Sequence, residues 1–134
     1  MIFKFAVLKK GIGIAMFIDV EELRSPQILD SDLSVLERIY LRVNHPIPFL
    51  SEEDIDKYVV QAIRDVSNEI YEKIGGSQVC FYIQSLDTNA AHFQEEGIYC
   101  AMRGWLAQYY GLNVPPVKIE LDEEKRKFVF NFLQ

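Results

Sequence analysis

Gly97, Gly104 and Gly111 recur at seven-residue spacing within the segment from Phe93 to Leu112, FQEEGIYCAMRGWLAQYYGL. Two turns of an α-helix return a residue to nearly the same side, so the glycines line up, with Cys100, Ala101, Ala107 and Gln108 between them. The result is a seam of small side chains. A glycine inside a helix costs about 1 kcal/mol relative to alanine. A helix that carries two therefore uses the missing side chains to bring another backbone close. Beside the seam stand Tyr99, Trp105, Tyr109 and Tyr110. The core stripe expected of this helix is Ile98, Ala101, Met102, Trp105 and Tyr109, with Tyr99 and Tyr110 directed away from it.

Such a helix needs a surface to lie on, and the first part of the chain supplies one. Phe3, Phe5 and Val7 alternate with Ile2, Lys4, Ala6 and Leu8, and Ile12, Ile14, Met16, Ile18 and Val20 alternate with Gly13, Ala15, Phe17 and Asp19. Period-two patterns on either side of Lys9-Lys10-Gly11 predict a β-hairpin. The shallow Gly13–Ala15 side of the second strand is the side expected to receive the glycine-bearing helix. Residues 21–34 read as the longest loop. Residues 35–43 satisfy both strand and helix spacing, and their β-branched content and the following His45-Pro46-Ile47-Pro48 favour a strand.

A helix is predicted from Glu52 to Ile74. Ser51 is a suitable N-cap, and Ile55, Val59, Ala62, Ile63, Val66, Ile70 and Ile74 form an apolar stripe that Gly75-Gly76 ends. Val79–Leu86 reads as an interior strand because it is apolar on both faces. Val117–Leu121 and Lys127–Phe132 form a terminal hairpin around the charged run 122–126. The order ββ(β)αβαββ implies an α+β two-layer sandwich. Its sheet has five or six mainly antiparallel strands, with two main helices on one face. Residues 1–134 form a single domain.

Composition narrows the function classes. The chain has 134 residues, half of them hydrophobic, with nine Phe, seven Tyr and one Trp, so a substantial core is expected. A net charge of −6 argues against a phosphate-driven grip on nucleic acid and against attraction to an anionic membrane. Basic residues at the hairpin tips (Lys9, Lys10, Lys125, Arg126 and Lys127) are the one local exception. Lysines interrupt the N-terminal apolar run, and no stretch reaches the roughly 20 apolar residues of a membrane span. A cytoplasmic protein is expected, with Cys80 and Cys100 as buried thiols.

No reactive constellation is assembled by spacing. His92 and Cys100, eight residues apart, stand about 12 Å from one another if one helix carries both, too far for a nucleophile and its base. Asp87, His92, Glu95 and Glu96 lie close in sequence, but acidic residues in a first helical turn are what the helix dipole favours. Neither a metal nor a cofactor is expected. Arg103 is the polar residue that interrupts the second helix. With Tyr99, Trp105, Tyr109 and Tyr110 it makes a candidate interaction group, since interfaces enrich Trp, Tyr and Arg. The leading expectation is therefore a small non-catalytic protein-interaction module. Its partner would be a basic protein, as for an acidic inhibitor or immunity-type protein, or a second copy of itself. The alternative is a small enzyme or ligand-binding domain with a pocket between helix and sheet, using Arg103, His92 and tyrosine hydroxyls.

Overall fold

The computed structural model describes residues 1–89 and 93–132. Strands β1 (Ile2–Lys9) and β2 (Ile12–Arg24) form the first hairpin, closed by Lys10 and Gly11, both at positive φ as a tight primed turn requires. Residues 33–43 give two short strands, β3 (Leu33–Leu36) and β4 (Ile39–Val43). A helical segment follows as α1 (Glu52–Asp54), a π-helical stretch (Ile55–Val59), α2 (Val60–Asp65) and α3 (Ser67–Ile74). Then come β5 (Val79–Thr88), α4 (Glu96–Tyr110), β6 (Lys118–Asp122) and β7 (Lys127–Asn131).

The main sheet has the strand order β1-β2-β5-β4-β3, and β6 and β7 form a separate two-stranded sheet. All neighbours in the main sheet are antiparallel except β4 and β5, which are parallel. The helical segment α1–α3 joins these two, as a parallel pair needs a long crossover. The fold is an α+β two-layer sandwich with helices against one face of a five-stranded mixed sheet. None of its described helices is long and apolar enough to cross a membrane.

The predicted helix Glu52–Ile74 is present but not continuous. Ser51 caps it through its hydroxyl, which accepts the Asp54 N–H at 3.1 Å. The π-helical stretch and a break at Val66 (φ −114°, ψ 19°) then interrupt it. The stripe itself explains the breaks. Residues stepping by four drift about 40° per step around a straight helix. Re-phasing at these two points keeps Ile55, Val59, Ile63, Val66, Ile70 and Ile74 all buried.

Ile12, Ile14, Met16, Ile18 and Val20 face the helical layer and are buried. The Gly13–Ala15 side of β2 therefore belongs to the opposite, open face, where Ile2, Leu8 and Phe17 are also exposed. The expectation that α4 would settle over Gly13 and Ala15 is corrected. Five large apolar side chains offer more surface to bury than a shallow strand does, and the close approach comes from the helix instead. A β-carbon on Gly104 would overlap the ring of Phe3, and one on Gly97 would stand 2.7 Å from Met16 Cε. The third glycine has a different task. Gly111 sits in the left-handed region (φ 66°, ψ 42°) and ends α4, with Leu112 N–H donating to the Ala107 carbonyl at 2.8 Å.

If α4 rests on β1 through its glycines, Gly104→Leu should lower stability by about 1–3 kcal/mol through overpacking. Truncating the ring in Phe3→Ala/Gly104→Leu should recover part of that loss, giving a coupling of about 0.5 kcal/mol or more in a double-mutant cycle by chemical denaturation. An unchanged transition in Gly104→Leu would refute the contact.

Candidate functional site

Past Gly104 the seam of α4 becomes a wall. Cys100, Arg103, Gly104, Ala107 and Gln108 follow the i, i+3, i+4, i+7, i+8 spacing that puts side chains on one side of a helix. Phe3 and Phe5 project toward them from alternate positions of β1. After Gly111 the chain turns back, and Leu112, Val114, Pro115, Pro116 and Val117 run alongside to Ile119 of β6. Together these residues line a cavity of about 470 Å³. The concavity has a simple cause: Gly104 and Ala107 are small, and two consecutive prolines keep the returning segment extended instead of collapsing into the gap.

Arg103 is the only charged residue among the described lining groups and is half-buried. Its Nη2 donates to the Pro115 carbonyl at 2.8 Å, and its Nη1 to the Tyr99 hydroxyl at 3.3 Å. Among the described residues no carboxylate lies within ion-pair distance of it. Tyr99 is buried, with Phe132 packed on its ring at 4.4 Å, and its hydroxyl donates to Asp65. Burial, reinforced by Asp65, pushes the Tyr99 phenol up to about 12. Cys100 also lines the cavity, and burial pushes its thiol up to about 12. Cys80, free and buried on the other side of the sheet, is pushed up to about 11 for the same reason. Both stay in the thiol form near neutrality and are poor nucleophiles.

The other three candidate residues gather elsewhere. Trp105 is fully buried, edge-on to Phe81 and stacked on Tyr109 at 4.8 Å, with its Nε1 donating to the Met1 carbonyl at 2.9 Å. Tyr110 is buried against Phe81 and donates to Glu22. Tyr109 is 42% exposed. The expected outward direction of Tyr99 and Tyr110, and the inward one of Tyr109, is thus corrected. Helix α4 is covered on two flanks, by Phe132 beyond β7 and by the Phe81 and Glu22 end of the sheet, so it has no single buried stripe.

Glu22 is not among the residues the sequence singles out, although it carries a signal. It follows Val20 at the parity of the buried face, where an acid needs partners. Its carboxylate has them: Arg24 Nε and Nη2 at 3.2 and 3.0 Å, and the hydroxyls of Tyr109 and Tyr110. Burial and then Glu22 hold the Tyr110 phenol well above its usual range. This group is internally satisfied.

No family model, curated protein or solved structure matches the chain. The site therefore has to be read from its own chemistry.

On the open face, Arg42 grips Asp32 with two bonds, Nε–Oδ1 at 2.7 Å and Nη2–Oδ2 at 2.8 Å, and a third reaches the Gln27 carbonyl. These pin the loop before β3 onto the strands. A second depression of about 430 Å³ lies nearby, between β4 and α1, with His45, Glu52 and Asp56 in its walls. His92 lies outside the described residues, and so do its expected roles beside Cys100, with Glu95 and Glu96, and in a pocket with Arg103. Among the described residues no three His, Cys, Asp or Glu side chains are placed to hold a metal ion.

The Asp32–Arg42 grip makes stability pH-dependent with a defined sign. Its hydrogen bonds with Arg42 hold the Asp32 carboxyl below its usual value. The pair therefore stabilises above the unfolded carboxyl pKa of about 3.9 and ceases to do so as pH falls through the lower folded value. Asp32→Asn should be less stable than the parent at pH 7, and the gap should close in acid. A gap in denaturation midpoint that stays constant from about pH 6 to about pH 2 would count against the pair.

Proposed function

We propose that this chain is a small non-catalytic ligand-binding domain whose pocket lies between α4 and β1. The observation that carries the reading is the 470 Å³ cavity, apolar on most of its wall and holding the half-buried Arg103. Its size falls within the range of small-molecule sites, and a mainly apolar lining with few polar groups is their usual composition. The buried, protonated thiols and the burial of Trp105, Tyr99 and Tyr110 also support it. The first offer no activated nucleophile at neutral pH, and the second leave little of an exposed aromatic patch on α4.

A neutral apolar probe such as 1-decanol should give saturable NMR shifts at Phe3, Gly104 and Val117. Ala107→Phe fills the cavity from the helix side. It should weaken binding about tenfold or more while changing stability by about 1 kcal/mol or less. Absence of saturable shifts up to the solubility limit of the probe would overturn the reading.

Protein binding remains a second reading, favoured by a different observation. The open face carries exposed Ile2, Leu8 and Phe17 on β1 and β2, and β1 is an edge strand with one row of backbone groups unpaired within the main sheet. Self-association along β1 would cover both. Light scattering across the micromolar range should then show dimers that Leu8→Lys disperses, and a monomer throughout would remove this reading.

A further inference from the structure

Four arginines of this chain meet polar partners at close range among the described residues. Arg24 is held by the Glu22 carboxylate and Arg42 by that of Asp32. Arg38 and Arg103 have only neutral oxygens among the described residues. Arg38 is bonded to the Gly75 and Ser77 carbonyls beside the Tyr71 ring, and Arg103 to the Pro115 carbonyl and the Tyr99 hydroxyl. Of these two, Arg103 is the one that lines the apolar cavity. A guanidinium carries five N–H donors in a planar fork. Two are used among the described residues, which leaves three at an apolar cavity whose described lining contains no acid. Removing a cation partly from water without an anion is costly, and the cost is relieved when a carboxylate arrives with matching fork geometry.

Resting on the pocket reading above, we infer that the cavity between α4 and β1 binds an aliphatic monocarboxylate, its chain along Phe3, Phe5 and Ala107 and its carboxylate on Arg103. Arg103 is the one cation among the described lining residues, and the nearby Lys9 ammonium is bonded to the Ile119 carbonyl, which suits a single negative charge. A dianionic phosphate group would enter the apolar lining with one charge unmatched. Tyr99 serves as a positioning residue: it accepts from Arg103 Nη1 while donating to Asp65, which holds the guanidinium over the seam. No bond is made or broken in this binding.

Calorimetric titration of the full chain with decanoate and with 1-decanol tests the assignment. Decanoate should bind about tenfold or more tightly than the alcohol, since a charged hydrogen bond is added to the same chain. Within the carboxylates, each added methylene should tighten binding about fourfold until the cavity is full. Arg103→Gln should abolish the advantage of decanoate over decanol, and Arg103→Lys should restore part of it. Should Arg103→Gln fail to fold, the parent protein alone still decides the matter. Its decanoate affinity must fall as pH drops through the fatty acid's own pKa, while decanol binding stays level. Equal affinity for decanoate and decanol would overturn the carboxylate assignment and leave the pocket standing. Binding of neither would overturn both. A concentration-dependent dimer, lost in Ala107→Phe and insensitive to decanoate, would assign the groove to a second copy and overturn the inference.

Discussion

Helix α4 meets Phe3 and Met16 of the sheet at two places where it lacks a β-carbon, and its other contacts with the sheet are arranged around that approach. With Phe3 over Gly104 and Met16 against Gly97, the helix axis sits lower over β1 and β2 than side chains at those positions would permit. That height lets Trp105 reach Phe81 in the central strand and brings the Tyr110 hydroxyl to Glu22. It also leaves the opposite flank of the helix open beside β1. The returning segment and the β6–β7 hairpin cover that flank only in part, through Phe5–Phe130 and Tyr99–Phe132 ring contacts and the Lys9 bond to the Ile119 carbonyl. The cavity is what remains between the low helix and that cover.

Charge is distributed by the same geometry. Glu22 and Asp32 have nearly buried carboxylates, and each has an arginine beside it. The rule that buried charge must be paired is met twice inside the protein. At Arg103 it is met, among the described residues, only by neutral oxygens, on a surface made mostly of rings, aliphatic groups and prolines with the Gln108 amide and the Cys100 thiol. The preference proposed for the pocket rests on Arg103 standing in that apolar lining; Arg38, also held by neutral carbonyls, is not among the residues that line it. The same geometry accounts for the separation of the five residues first grouped as an interaction surface. Tyr99 and Arg103 lie toward the cavity, whereas Trp105, Tyr109 and Tyr110 join Glu22 at the other side of the helix.

Periodicity was a dependable guide wherever one face of an element is buried. The alternation in β1 and β2, the two-sided apolar character of β5 and the Ser51 cap are all local signals, and each has the expected structure. The signals failed where a second neighbour was involved. Tyr99 and Tyr110 belong to no single stripe because α4 is packed on two flanks, and a helical wheel assumes one. The side of β2 that receives the helix is set by its large apolar residues and not by the small Gly13 and Ala15. The role of Glu22 is not local, because its partners Tyr109 and Tyr110 lie more than 85 residues away in sequence. For the cavity itself, only Arg103 and the small residues of the seam were visible beforehand. Its other walls come from β1 and from residues after Gly111.

The sequence by itself determined most of the element types, the two-layer class, the glycine side of α4 and the net acidity. These depend on residue spacing, backbone freedom and summed charge, which are properties of the chain read in order. It left residues 35–43 open between strand and helix and read Glu21–Arg24, the end of β2, as loop. Tertiary structure alone decided that the terminal hairpin forms its own sheet, that α4 lies over Met16 and Phe3, and that Arg103 has no carboxylate among its described neighbours. Those outcomes depend on which distant surfaces compete for the same space. A cavity is set by the groups that fail to fill it, and no local pattern records them.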